Sequence, residues 1–128
     1  MVEDDGDLRH LFSTHLRLAG FHADAVGDGL AALHHIDRDP PDLIILDLGL
    51  PLVSGEHIAS EVAARADTEQ IPIVVVTGQD PSPDVVAVTS CVLTKPVELG
   101  ELVTTVKRCL DLTPATQSIG RERRRKRR

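Results

Sequence analysis

Two continuous apolar runs, at residues 43–46 and 73–76, constrain the fold of this 128-residue chain more than any other feature. A strand with one face in water alternates apolar and polar residues, whereas a continuous apolar strand is covered on both faces. Apolar residues at helical spacing occupy residues 7–19, 28–39, 55–66 and 98–110, so helices alternate with the runs. This alternation predicts an α/β fold, in which a parallel sheet has helices on both faces.

Three shorter strands complete the predicted sheet. They are Met1–Val2, Phe21–Val26 and Val92–Leu93. Strands usually contain about five or six residues, so most of the first strand is missing from this sequence. Either the natural N-terminus lies upstream, or the sheet is unusually weak beside Glu3 and Asp4.

The segment between the second long run and the last strand is also short. Prolines interrupt it, and Val85, Val86 and Val88 have low helix propensity. Ser82 can cap a helix of one or two turns that begins at Pro83, and no more. The fourth helix of the fold is therefore predicted to be short.

Charge divides the chain into a folded part, residues 1–112, and a basic tail, residues 113–128. Residues 121–128 carry seven basic side chains and Glu122, which leaves seven basic and nineteen acidic side chains, a net charge of −12, for residues 1–120. A basic run can bind nucleic acid through its phosphates, so Arg121–Arg128 is the only candidate nucleic-acid contact. A disordered tail is the favoured interpretation, because no aromatic residue is interleaved for base stacking.

The sequence predicts a cytoplasmic protein. No apolar stretch approaches the length of a membrane span, and the N-terminal residues lack the pattern of a signal peptide. Cys91 and Cys109 lie in predicted core elements and are expected to be free thiols in a reducing compartment. The six histidines lack the spacing that stacks metal ligands on one helical face, so they are expected to be solvated or partly buried.

Polar side chains follow four of the predicted strands at the point where each strand ends. Glu3 and Asp4 follow the first strand, Asp47 and Thr77 follow the two long runs, and Lys95 follows the last strand. The carboxyl ends of parallel strands lie at one edge of a sheet, where ligands bind in open α/β folds, so these groups are expected to converge. Carboxylate oxygens suit Mg²⁺, and a carboxylate can attack a phosphoryl group that a hydroxyl and an ammonium bind.

Four motifs follow one another along the chain. They are Glu3-Asp4-Asp5, Asp42-Leu43-Ile44-Ile45-Leu46-Asp47-Leu48-Gly49-Leu50-Pro51 with Gly55, Val76-Thr77-Gly78, and Lys95-Pro96. In this order, across residues 1–112, they resemble the receiver domain of two-component response regulators. The resemblance implies a flavodoxin-like (CheY-like), doubly wound, five-stranded parallel sheet in the order 2-1-3-4-5. The first strand and the fourth helix are expected to be shortened relative to the family.

The resemblance also implies roles for the converging carboxylates. Asp47 would accept a phosphoryl group from a histidine kinase or a phosphotransfer protein, and Glu3, Asp4, Asp47 and the backbone carbonyl of Gly49 would bind Mg²⁺. The implied function is a stand-alone response regulator that signals through phosphorylation-dependent contacts with an unknown output protein. It is not expected to be an enzyme beyond slow self-catalysed phosphorylation and dephosphorylation.

The remaining motifs imply a phosphoryl-binding pair and one departure from the family. Thr77 and Lys95 would bind the phosphoryl group, and the Lys95–Pro96 peptide bond would be cis. At the switch position, three residues before the lysine, Val92 replaces the usual Tyr or Phe. Valine has one stiff torsion and no ring to rotate, so the link from Thr77 to an output face is expected to differ from the usual one.

Two alternatives stay open at this point. The short first strand and Val92 are compatible with a degenerate receiver that binds proteins without being phosphorylated. A metal-dependent phosphohydrolase with Asp47 as nucleophile is less favoured. Phosphatases of the haloacid-dehalogenase type need a second Asp two residues later, where Gly49 stands.

Overall fold

The computed structural model describes residues 1–111, in which two helices come first and strands then alternate with helices. The helices are α1 (Gly6–Leu18), α2 (Gly29–Arg38), α3 (Gly55–Ala64), α4 (Pro83–Val88) and α5 (Leu99–Asp111). The strands are β1 (Ile44–Leu46), β2 (Ile73–Thr77) and β3 (Cys91–Thr94). The predicted α/β fold is confirmed. The predicted basic tail, residues 113–128 with Arg121–Arg128, lies outside the described residues.

The strands form one parallel sheet in the order β1-β2-β3. Ile45 pairs with Val74, and Val75 pairs with Val92. Every residue of β1 and β2 is buried, as their continuous apolar sequences predict. β3 lies at the edge of the sheet and is only partly buried.

The prediction of five strands is wrong for the first two, at residues 1–2 and 21–26. Val2 instead forms two isolated parallel bridges, one to Val26 and one to Leu46. Val2 therefore lies between these residues, in the place that the predicted order gives to the first strand. A strand requires successive pairs, and Met1 and Val2 are too few to provide them. This shortage also explains why residues 21–26 do not form a strand.

Two apolar clusters fill the two faces of the sheet, because successive side chains of a strand point to opposite faces. The cluster beneath α2, α3 and α4 contains Ile44, Leu46, Ile73, Val75, Ala32, Ile36, Ile58, Ala59, Val62 and Val85. The cluster beneath α1 and α5 contains Ile45, Val74, Val76, Leu93, Phe12, Leu16, Leu102, Val106, Cys109 and Leu110. Packing on both faces fixes the strands, and with them the polar residues at their carboxyl ends.

The first four helices begin at side-chain caps. Oxygens of Asp5, Asp28, Ser54 and Ser82 accept hydrogen bonds from backbone N–H groups in the first turns of α1 to α4. Each cap of this kind typically stabilises a helix by about 1 kcal/mol. The predicted helix of one to two turns from Pro83 is present as α4. Within residues 1–111, no helix combines the length and the apolar character that crossing a bilayer would require.

Candidate functional site

Asp47 follows β1 directly, and the isolated bridges of Val2 bring the N-terminal acids to its side. The backbone N–H of Asp47 donates to the Val2 carbonyl at 3.0 Å, and the N–H of Glu3 donates to the Val26 carbonyl at 3.1 Å. These bonds fix the backbone on both sides of Val2. The side chains of Glu3 and Asp47 are therefore neighbours at the carboxyl edge of the sheet, and both are buried.

Lys95 links the two buried carboxylates. Its Nζ lies 2.9 Å from Glu3 Oε1 and 3.1 Å from Asp47 Oδ2. Its backbone N–H donates to the Thr77 carbonyl at 2.9 Å, which fixes the start of its side chain beside β2. The Lys95–Pro96 peptide bond is cis. One ammonium thus offsets the repulsion between two acids that have little access to water.

Asp4 completes a group of three acids. One carboxylate oxygen from each of Glu3, Asp4 and Asp47 lies within 4.8 Å of the others, with Asp4 exposed and the other two buried. Hard oxygen donors at this density are the ligands that Mg²⁺ takes in proteins, usually with several waters retained. The donor set fits a small divalent cation, and the exposed position of Asp4 leaves a side open to solvent.

The two buried carboxyl groups have pKa values that are shifted in opposite directions. Burial raises the pKa of Glu3, and hydrogen bonds from Lys95 and the Asp5 N–H only partly oppose this. Burial also acts to raise the pKa of Asp47, but hydrogen bonds from the Gly49 N–H and Lys95 outweigh it and lower the pKa. Hydrogen bonds therefore favour the ionised form of Asp47 more than that of Glu3, and an ionised carboxylate is the form that acts as a nucleophile.

The hydroxyl group of Thr77 lies at the carboxyl end of β2 and is buried. Its Oγ1 accepts a hydrogen bond from the Gln79 N–H at 3.1 Å, which orients the side chain and leaves its own O–H as a donor. A Cβ placed at Gly78 would meet no atom within 4 Å. The space at residue 78, next along the chain from the Thr77 hydroxyl, is therefore open.

Gly49 and Val92 are the remaining two residues that the sequence assigned to the site and its switch. The N–H of Gly49 donates to Asp47 Oδ1 at 3.1 Å, so residue 49 borders the acid group. The role of its carbonyl as a metal ligand stays a prediction. Val92 is part of β3 and packs against the apolar cluster beneath α2, α3 and α4.

Two contacts of the site were not apparent from the sequence. Arg9 Nη1 donates to the Glu3 carbonyl at 2.9 Å, so helix α1 holds the backbone of a site residue. A Cβ on Gly55 would lie 2.3 Å from the Asp47 carbonyl oxygen and 2.6 Å from Leu48 Cα. Only glycine allows α3 to begin this close to the backbone of Asp47 and Leu48. Gly55 was given above with the motif of residues 42–51, whereas nothing in the sequence around Arg9 distinguishes it from other arginines on helix surfaces.

Comparison with known proteins gives one family. The family model of the response regulator receiver domain matches residues 1–107. The sensory transduction protein RegX3 of Mycolicibacterium smegmatis is 33% identical over 114 residues, which cover 86% of this chain and 49% of the relative. The transcriptional regulatory protein PrrA of Mycobacterium leprae is 32% identical over 126 residues, covering 95% of this chain and 53% of the relative. The chain spans about half the length of these curated relatives.

Solved structures of receiver domains share the fold. The chemotaxis response regulator CheY4 of Vibrio cholerae matches with a TM-score of 0.79 at 26% identity, over 84% of this chain and 93% of that one. The response regulator receiver domain of Methylobacillus flagellatus matches with a TM-score of 0.76 at 27% identity, over the same two fractions. Similarity at these levels extends over nearly all of the described residues.

Proposed function

The chain belongs to the response regulator receiver domain family, and on that premise we propose that Asp47 accepts a phosphoryl group from a phosphohistidine. The observation that carries the proposal is the shared ammonium of Lys95, which contacts both Glu3 and Asp47 in a buried setting. It keeps a nucleophilic carboxylate ionised next to a second acid. A carboxylate oxygen of Asp4 lies within 4.8 Å of one oxygen each of Glu3 and Asp47, and Asp4 is exposed, so the acid group reaches the surface.

In the proposed transfer, a carboxylate oxygen of Asp47 attacks phosphorus and forms a P–O bond. The P–N bond to the imidazole of the donor breaks, and the imidazole takes up a proton as it leaves. Asp47 Oδ1 accepts from Gly49 and Oδ2 accepts from Lys95. Each oxygen of a carboxylate has a further lone pair, so these contacts orient the nucleophile without blocking it.

Charge in the transferred group needs compensation from its surroundings. We expect the O–H of Thr77 and the ammonium of Lys95 to bind phosphoryl oxygens, and the buried setting would strengthen both interactions. Glu3, Asp4, Asp47 and the Gly49 carbonyl would hold Mg²⁺, which when bound neutralises phosphoryl charge. We expect no turnover beyond slow self-phosphorylation and self-dephosphorylation.

The proposed partners follow from the same chemistry. A histidine kinase or a phosphotransfer protein would supply the phosphoryl group in the cytoplasm, and an output protein would bind the phosphorylated form. Relatives named as sensory transduction and transcriptional regulatory proteins support signalling as the purpose. Stand-alone signalling stays a prediction. The mass of the native protein in its source cells would test it, because a further domain would add to that mass.

Labelling with acetyl phosphate tests the proposal. The wild-type protein should gain one phosphoryl group in the presence of Mg²⁺ and none with EDTA, as read on Phos-tag gels and by intact mass. Asp47→Asn should abolish the gain, because an amide is not a nucleophile. Asp80→Asn is the matched control, since Asp80 is exposed at the same edge and lies outside the acid group.

Two results would contradict the proposal. Undiminished labelling of Asp47→Asn would mean that another residue is the acceptor. A folded wild-type protein that takes no label from acetyl phosphate or from any histidine kinase would support the degenerate receiver instead.

A further inference from the structure

The carbonyl group that Arg9 holds belongs to the peptide group between two of the three acids. Arg9 Nη1 donates to the Glu3 carbonyl at 2.9 Å, and this carbonyl is part of the peptide group that joins Glu3 to Asp4. A peptide group is planar, so its orientation determines how the residues on both of its sides are placed. The contact therefore bears on two carboxylates of the acid group, although it is a contact with the backbone.

Asp4 depends on this peptide group more than Glu3 does. The N–H of Glu3 donates to the Val26 carbonyl at 3.1 Å. The carboxylate of Glu3 contacts Lys95 at 2.9 Å and accepts from the Asp5 N–H at 3.2 Å. Asp4 is exposed, and within residues 1–111 its side chain has no hydrogen bond or ion pair. The backbone is therefore what places the Asp4 carboxylate beside the other two.

The guanidinium of Arg9 packs against the backbone of Gly27. A Cβ placed on Gly27 would lie 2.8 Å from Arg9 Nη1, which is closer than nonbonded atoms allow. By comparison, a Cβ placed on Gly6 would lie 3.6 Å from Arg9 Nη2, at an ordinary contact distance. The lack of a side chain at residue 27 is therefore what gives the guanidinium room beside the Glu3 carbonyl.

The charge of Arg9 and its geometry act in opposite senses on a bound cation. In the part of the chain that the structure describes, Arg9 forms no salt bridge, whereas Lys95 contacts both Glu3 and Asp47. An unpaired positive charge beside the acid group repels a further cation, so the charge of Arg9 alone would weaken Mg²⁺ binding. Its hydrogen bond to the Glu3 carbonyl, in contrast, would favour binding by holding two of the ligands in place before the ion arrives.

We propose that Arg9, packed against Gly27, is a positioning residue for Mg²⁺ binding, because it holds the peptide group between Glu3 and Asp4 so that both carboxylates reach one ion. The inference rests on the proposed function, since it concerns the metal site of the same acid group. Residues that support metal ligands without contacting the metal typically change metal affinity by about tenfold to a hundredfold when they are replaced. An effect of that size is expected for Arg9.

Calorimetric titration of the full 128-residue protein with Mg²⁺ tests the inference. Arg9→Met keeps an apolar stem but removes the guanidinium, and it should raise the Kd for Mg²⁺ about tenfold or more. Loss of the positive charge alone would instead lower that Kd. Arg17→Met is the matched control and should bind Mg²⁺ like the wild type. Arg17 belongs to the same helix, and its guanidinium also donates to a backbone carbonyl, that of Ala23, at 2.7 Å.

A second variant moves the guanidinium without changing the charge of the protein. Gly27→Ala places a methyl group 2.8 Å from Arg9 Nη1, and the flexible arginine side chain can move away at little cost to the fold. Residue 27 does not have the left-handed backbone that alanine resists. The Kd for Mg²⁺ should again rise about tenfold, and adding Gly27→Ala to Arg9→Met should cause no further rise. Gly6→Ala is the control and should bind like the wild type.

Hydrogen exchange in EDTA gives a measurement that needs no metal. The Asp5 N–H donates to Glu3 Oε2 at 3.2 Å, so its protection depends on the placement of Glu3 and of the peptide group that follows it. Exchange of this N–H, followed by NMR, should become about fivefold faster in Arg9→Met and in Gly27→Ala, since loss of one typical hydrogen bond amounts to about that factor. The N–H of Asp47, which donates to the Val2 carbonyl, should exchange as in the wild type.

Three results would overturn the inference. They are an unchanged or lowered Kd for Mg²⁺ in Arg9→Met, wild-type affinity in Gly27→Ala, and wild-type exchange of the Asp5 N–H in both variants. If the wild type binds Mg²⁺ and accepts a phosphoryl group, each of these results leaves the proposed function intact. A wild-type protein that binds no Mg²⁺ would instead overturn the metal site of the proposed function, and this inference with it.

Discussion

Glu3 and Asp47 contact the same ammonium, yet the pKa of Glu3 is raised and that of Asp47 is lowered. Burial dominates at Glu3 and the neighbouring Asp47 adds to it, whereas at Asp47 the hydrogen bonds with the Gly49 N–H, Lys95 and Glu3 together outweigh burial. A raised pKa means that ionised Glu3 is less favourable in the folded protein than in the unfolded one. The same reasoning makes ionised Asp47 favourable in the fold.

Glu3→Gln should therefore stabilise the metal-free protein at pH 7. The stability that wild-type Glu3 contributes is fully present below its unfolded pKa, near 4.5, and is lost as pH rises through the folded value. Glutamine mimics the protonated form, so the variant should melt higher at pH 7, by roughly 4 °C for each kcal/mol gained, and equal to the wild type near pH 4. Calorimetric melts in EDTA across this range give the measurement.

Asp47→Asn should change stability in the opposite sense. The contribution of ionised Asp47 is present above its unfolded pKa of 3.8 and is lost as pH falls through the lower folded value. The variant should melt below the wild type at pH 7, and the difference should shrink in acid. Melting curves of the two variants that shift in the same direction at pH 7 would contradict the opposed assignment.

Asp4→Asn should weaken Mg²⁺ binding without altering the fold. Asp4 is exposed and belongs to the acid group, so its loss removes one charged ligand, and we expect about a tenfold or greater rise in Kd. The Mg²⁺-dependent rise in Tm should shrink accordingly, because ligand binding stabilises the native state by mass action. Asp7→Asn, in the first turn of α1, is the control and should titrate like the wild type. Equal Kd values for all three proteins would remove Asp4 from the site.

Gly55→Ala and Gly49→Ala should differ sharply in stability. The added Cβ at residue 55 would lie 2.3 Å from the Asp47 carbonyl, whereas at residue 49 its nearest neighbour would be Asp47 Oδ1 at 3.9 Å. We expect Gly55→Ala to cost about 3 kcal/mol and to lower Tm by roughly 10 °C, since backbone must move to make room. Gly49→Ala should stay within about 1 kcal/mol of the wild type. Denaturant unfolding measures both, and a neutral Gly55→Ala would show that α3 can shift freely.

Beryllofluoride, a phosphoryl mimic, should change hydrogen exchange mainly in residues 78–90. Gly78 and Gln79 follow Thr77 directly, and α4 has only six residues, with Ser82 Oγ donating to Glu56 at 2.7 Å. A short helix with few buried residues reorders at low cost. Val92 offers no ring that could rotate, so its own amide should change little. Asp47→Asn should abolish the response, and exchange that is unchanged throughout residues 78–90 would favour a domain without a phosphorylation switch.

The sequence predicted β1, β2 and the residues that follow them because a continuous apolar run ending in Asp47 or Thr77 is a local signal. It failed at residues 21–26, where strand formation depends on a neighbour that Met1 and Val2 are too few to provide. The contact of Arg9 with the Glu3 carbonyl could not be predicted from the sequence for a related reason. That contact is set by how α1 packs, and an arginine on a helix surface has many possible partners.

The distance along the chain between Glu3 and Lys95 limits when the acid group can exist. Glu3 precedes every helix and strand of the fold, whereas Lys95 follows β3, the last strand. Contacts between residues so far apart in sequence form late, because they require the chain between them to be ordered first. A chain still emerging from the ribosome, or cut before residue 95, holds Asp47 without its ammonium. Such fragments should not accept a phosphoryl group at Asp47, so the proposed uptake would depend on a chain that is made and folded through residue 95.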